Sequence, residues 1–84
     1  MTKTTGEQSI YWVEVDEGEN GNKIVPHTRD EKNNEGFYRF MSRSDAKKFR
    51  DELIRNNPDY SFRLVKFTEK YSFEKFYSKN DLEK

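Results

Sequence analysis

The sequence predicts an α+β fold: a small antiparallel sheet of three or four strands with one helix packed on one face and an aromatic C-terminal segment, in ββ-β-α-β order. Three observations carry this. Between Phe37 and Phe67 the chain reads strand, capped helix, stop, strand. Ile10 to Val15, IYWVEV, joins β-branched and aromatic residues in one run. With 84 residues there is room for one domain only.

Met1 to Gln8 is expected to be a disordered tail, which leaves residues 9–84 as the single domain. The first strand, Ile10 to Val15, should place Tyr11, Val13 and Val15 on one face and Ile10, Trp12 and Glu14 on the other. Asn20-Gly21 in DEGENGN is a turn signal. KIVPH reads as a short second strand at an edge, because Pro26 has no N–H to give a ladder. Thr28 to Gly36 is polar and is expected to be a loop, with a strand resuming from Phe37 to Met41.

The helix follows. Ser42 or Ser44 supplies the N-cap, and Asp45 sits in the first turn, where the dipole favours an acid. Ala46, Phe49, Leu53 and Ile54 make one apolar stripe. Asn56-Asn57-Pro58 ends it, because the residue before proline disfavours helix. The next strand, Tyr60 to Thr68, is apolar on both sides: Phe62 and Leu64 point one way, and Val65 and Phe67 the other with Arg63. Such a strand belongs in the middle of a sheet covered on both faces. The second cover is expected from the segment after Tyr71, where Phe73, Phe76 and Tyr77 have helical spacing and Ser72 is placed to cap, or from a partner. The expected core is Trp12 or its neighbours Tyr11 and Val13, then Phe37 or Tyr38, Phe49, Leu53, Leu64 and Val65.

Composition limits the chemistry. Apolar residues are 31% of the chain, charged ones 38% and aromatic ones 15%. Aliphatics are few, so the core must be built largely from rings. Without cysteine there is no disulfide and no thiolate metal site. His27, the only histidine, stands beside a polar loop and reads as a solvated side chain. DEGENGN resembles a calcium loop in composition only, because His27 falls where the bidentate Glu should be. No phosphate-binding GK[ST] follows Gly18 or Gly21. The expectation is a non-catalytic protein with no metal and no cofactor. MTKTTGEQS lacks the apolar run of a signal peptide, and no stretch reaches the ~20 apolar residues of a membrane span. A cytoplasmic protein is therefore expected.

Binding surfaces offer more. Met1 to Ser42 carries five basic and eight acidic residues, a balance of −3, and Arg43 to Lys84 eleven and eight, a balance of +3. Such a split occurs in ordinary soluble domains; its other reading is a basic face for nucleic acid or an acidic protein. Tyr38, Arg39, Phe40, Tyr60, Phe62, Arg63 and Lys66 interleave rings with bases, as do surfaces that stack single-stranded bases and meet phosphates. The same rings would also serve a core. On the helix, Lys47, Lys48 and Arg55 lie off the apolar stripe, among Asp51 and Glu52. The candidate binding residues are thus Arg39, Lys47, Lys48, Arg55, Arg63 and Lys66. The partners to consider are a host protein, RNA, or a second copy paired through an edge strand.

The stretch YRFMSRSDAKKFRDELIRNNPDYSFRLVKFTE, in a short, cysteine-free, highly charged chain that begins MTK, resembles small early proteins of T-even-like bacteriophages. Ala46, Phe49 and Leu53 of the helix, followed by a strand with Val65, Lys66 and Thr68, carry the resemblance over about thirty residues. It implies a stoichiometric inhibitor or modifier of host machinery: RNA polymerase, a nuclease or a toxin–antitoxin system. A ribonuclease toxin inhibited in an RNA-associated manner is one such case. No functional residue is carried over, because no motif of known role is matched.

Overall fold

The computed structural model describes residues 8–30 and 35–82, with only the backbone of 28–30 and 35–37. Nearly all of the predicted tail, Met1 to Gln8, lies outside the described residues. Among the described residues nine elements follow one another: β1 (Ile10–Asp16), the 3-10 turn Gly18–Asn20, β2 (Asn22–Ile24), β3 (Thr28–Asp30), β4 (Glu35–Phe37), α1 (Arg43–Asn56), β5 (Ser61–Phe67), β6 (Tyr71–Phe73) and α2 (Lys79–Leu82). The main sheet has the order β2-β1-β5-β6, antiparallel at every junction. The chain is the α+β domain that its sequence predicts, with α1 packed on one face.

β1 and β5 form the centre. They pair over seven residues, from Ile10 with Phe67 to Asp16 with Ser61. Residues opposite one another in a ladder share a face. Val13 with Leu64 and Val15 with Phe62 therefore face α1. Val13, Ala46, Ile54, Phe62 and Leu64 form the buried cluster, with Tyr11, Phe40, Phe49, Leu53, Tyr77 and Leu82 packed against it. Each fully buried aliphatic contributes about 1.5–3 kcal/mol by leaving water.

Local chemistry sets the ends of α1. Ser42 is the N-cap, and its hydroxyl accepts from the Asp45 N–H. At the other end the Asn57 side-chain amide and its backbone N–H both donate to the Leu53 carbonyl, at 2.9 and 2.8 Å. One orphan group at each end, the Asp45 N–H and the Leu53 carbonyl, is so satisfied. Gly21, at φ 85°, closes the turn between β1 and β2, and its N–H reaches the Gly18 carbonyl.

Three expectations are corrected. The loop foreseen from Thr28 to Gly36 contains β3 and most of β4, which pair as a separate antiparallel ribbon; residues 31–34 lie outside the description. Short polar strands pair through backbone alone and leave no alternation to detect. The strand foreseen from Phe37 to Met41 ends at Phe37, and only Phe40 rejoins the sheet, as a bridge to Tyr11. The helix foreseen around Phe73, Phe76 and Tyr77 is instead strand β6 and an extended segment.

That last segment contains a bulge. From Val65–Phe73 to the Phe62–Tyr77 bridge, β5 advances three residues and its partner four. One extra residue reverses the alternation. Tyr77 therefore joins the helix-side core, while Phe73 stays on the other face. The short α2 is introduced by Ser78, whose N–H donates to Asp81 Oδ2 at 2.7 Å. The Ser78 hydroxyl donates to the same oxygen at 3.3 Å, a pairing the sequence carries as Ser78-x-x-Asp81.

Candidate functional site

The face of the sheet away from α1 is organised in three rows across the strands. One is Ile10, Phe67 and Tyr71; the next is Trp12, Val65 and Phe73; the third is Ile24, Glu14 and Arg63. Among the described residues no helix lies on this face. Val65 is nevertheless fully buried, while Ile24, Tyr71 and Phe73 are 41%, 58% and 55% exposed. Side chains of the sheet itself provide the cover. Trp12 meets Tyr71 edge-on at 5.8 Å between centroids, Tyr71 lies 4.8 Å from Phe67, and Tyr71 and Phe73 stack at 6.1 Å.

Arg63 completes the cover. Its Nε and Nη2 donate to Glu14 Oε1 at 3.1 and 2.8 Å, and Trp12 Nε1 donates to the other carboxylate oxygen at 3.2 Å. The guanidinium lies 4.4 Å from the Phe73 ring centroid and 4.7 Å from that of Phe76. Charge and apolar surface so share one place: the carboxylate neutralises the arginine, and the rings meet its flat faces.

At the Ile10 end the face opens into a groove of about 320 Å³, lined by Ile10, Trp12, Ile24, Tyr38, Arg39, Phe67 and Tyr71. The Phe40–Tyr11 bridge sets its rim, with both backbone hydrogen bonds at 2.8 Å, and this places Arg39 beside the sheet. Arg39 is exposed, 5.9 Å from the Tyr38 ring centroid. A second groove, about 310 Å³, lies on the helix side between Val15, Val25, Leu53, Asn57, Tyr60 and Phe62, with Glu17 at its mouth. Lys23 pairs with that Glu17 at 3.4 Å.

The six predicted binding residues are dispersed. Arg39 and Arg63 serve the open face. Lys47, Lys48 and Arg55 are exposed on α1, and Lys47 is paired with Asp51 at 3.0 Å. Lys66 stands opposite Tyr11, on the side that carries the helix. Of the interleaved rings, Phe62 is in the core. His27, expected in solvent, is half-buried: its ring lies 4.2 Å from Phe40, and its Nε2 donates to the Arg39 carbonyl at 3.1 Å.

Arg50 escaped the sequence reading altogether. It is 4% exposed, and it lies on α1 between Phe49 and Asp51. Its Nε and Nη2 donate to Asp51 Oδ1 at 3.2 and 3.1 Å, its Nη1 lies 3.6 Å from Glu74 Oε1, and its guanidinium is 4.6 Å from the Tyr77 ring centroid. Glu74 also accepts from Arg43 at 2.8 Å. This network ties α1 to the segment after β6. Burial alone would raise the Asp51 pKa, but hydrogen bonds and charge from Lys47 and Arg50 outweigh it and hold the carboxyl below its ordinary value.

Among the described residues no group of three or more His, Asp or Glu is arranged to hold a metal ion, and no helix is long and apolar enough to cross a membrane. Comparison with protein-family models, with curated proteins and with solved structures finds no match.

Proposed function

We propose that this chain is a small, non-catalytic cytoplasmic binding protein that docks on a protein partner through the open face of its sheet. The supporting observation is the exposed pair Tyr71 and Phe73 beside Trp12, on a face where Arg63 is already neutralised by Glu14. Aromatic residues and arginine with few free charges are the composition of an interface centre. A nucleic-acid track asks for the opposite, a run of free bases along one surface. The candidate bases here are divided between two faces and a helix. The resemblance to small phage proteins makes the partner a host factor, and a ribonuclease toxin of a toxin–antitoxin system is the specific case to try first.

Affinity capture from bacterial lysate tests this, with and without ribonuclease treatment. A stoichiometric protein should be retained in both conditions. The double variant Tyr71→Ala, Phe73→Ala should lose it, whereas Lys48→Ala, Arg55→Ala on the helix should keep it. Capture that disappears on ribonuclease treatment would move the assignment to RNA. Capture unaffected by the double variant would move it away from this face.

A further inference from the structure

We infer that the groove at the Ile10 end of the open face is a peptide site, and that it takes an acidic segment: a large apolar side chain with a carboxylate next to it. This rests on the proposal that the open face docks a protein, and it names the chemistry of the segment recognised. The walls are apolar, from Ile10, Trp12, Phe67 and Tyr71, and among the described residues no carboxylate lines them. Glu14, the acid nearest in register, has both oxygens engaged by Arg63 and Trp12. Among the described residues, Arg39 is the one charge in the lining. It is exposed, and no carboxylate partner for it is found among the described residues. Its neighbour in the groove is a ring, against which a guanidinium keeps its hydrogen-bonding edge free. An occupant that buries an apolar side chain on the rings thus meets the exposed Arg39 guanidinium at the rim. A carboxylate answers it with two parallel hydrogen bonds. A volume near 320 Å³ is at the small end of ligand pockets, which start at about 300 Å³, so it suits a short peptide segment rather than a large ligand. A nucleotide strand finds one arginine here and, among the described residues, no second base in the lining for its next phosphate.

Trp12 is the only tryptophan of the chain and stands in the groove, so its fluorescence reports occupancy directly. Three probes are titrated against the full chain: acetyl-Glu-Leu-Phe-Glu-amide, acetyl-Lys-Leu-Phe-Lys-amide and a short oligothymidylate. The acidic peptide should shift Trp12 emission at about tenfold lower concentration than the basic one, the ratio that one charge-assisted pair supplies. Arg39→Gln should bring the two peptides to the same concentration while the circular dichroism spectrum stays unchanged. Equal response to both peptides, an unaltered ratio in Arg39→Gln, or no shift with any probe overturns the inference. So does a response to oligothymidylate alone, which would mark a nucleic-acid site. The lysate experiment separates the two levels. If capture needs Tyr71 and Phe73 but the acidic peptide neither binds nor competes, the docking face stands and the groove chemistry falls. If the peptide binds while capture is indifferent to the face, the reverse holds.

Discussion

On the helix side of the sheet, Val13, Phe62 and Leu64 are closed under Ala46 and Ile54, each at 3% exposure or less. On the other side, Trp12, Phe67, Tyr71 and Phe73 lie over Val65 without a helix. Each face contains an arginine in contact with an aromatic side chain. Arg50, 4% exposed in its side chain, is held by Asp51 and Glu74 beside Tyr77. Arg63, 19% exposed, is held by Glu14 between Phe73 and Phe76. A strand apolar on both sides therefore needs no second layer of helices. Long rings and one neutralised arginine shield a small residue such as Val65, and the outermost rings remain in water. Closure makes the first face stability; incomplete closure leaves the second one available for contact.

Core truncation should separate the two faces most sharply. Leu64→Ala is expected to lose about 2–5 kcal/mol of unfolding free energy, the range for a buried leucine that leaves a cavity. Phe73→Ala should lose no more than about 1 kcal/mol, the worth of its contact with Arg63. Urea denaturation of both variants gives the comparison. Equal losses would mean that the open face is core and that the distinction fails.

The two arginines give a smaller contrast. Arg50→Ala should cost about 2–3 kcal/mol, typical of hydrogen bonds to charged groups, because Asp51 and Glu74 both lose a partner. Arg63→Ala should cost about half as much on the same scale, because Glu14 keeps the Trp12 N–H as a donor. Thermal unfolding at one pH reads the order. If Arg63→Ala were the more damaging, the ion pair on the open face would be the structural one.

The smallest effect is one of pH and belongs to the helix side. The folded Asp51 carboxyl titrates below its ordinary value of 3.8. Its contribution is in full force above that value and is lost as pH falls through the lower, folded one. Asp51→Asn should therefore flatten part of the acid limb of the stability profile, below about pH 4, and change little in the slope near neutrality. A profile parallel to that of the parent chain would show that Asp51 does not act through its charge.

Local physics made much of the fold readable. The cap at Ser42, the stop at Asn57-Pro58 and the stripe from Ala46 to Ile54 depend on neighbours within a few positions, and so does the alternation in β1 and β5. The two faces of β1 and β5 follow from a period of two. The rest depends on partners distant in the chain. Nothing near Arg50 shows that it is buried; Glu74 and Tyr77, which make burial tolerable, arrive more than twenty positions later. The helical spacing of Phe73, Phe76 and Tyr77 would gather three rings on one face, but backbone pairing with β5 and a one-residue bulge divide them: Tyr77 joins the helix-side core, and Phe73 and Phe76 meet Arg63 on the other face. The candidate groove was half visible. Trp12 and Arg39 could each be noticed, but only the bridge of Phe40 to Tyr11 brings Arg39 to the rings. By itself the sequence determined β1, α1 and β5 and the sides of those two strands, since these are set by torsional preference and periodicity. The tertiary structure decided which apolar side is closed and which charges are neutralised, because burial and ion pairing are properties of groups that meet only after the chain has folded.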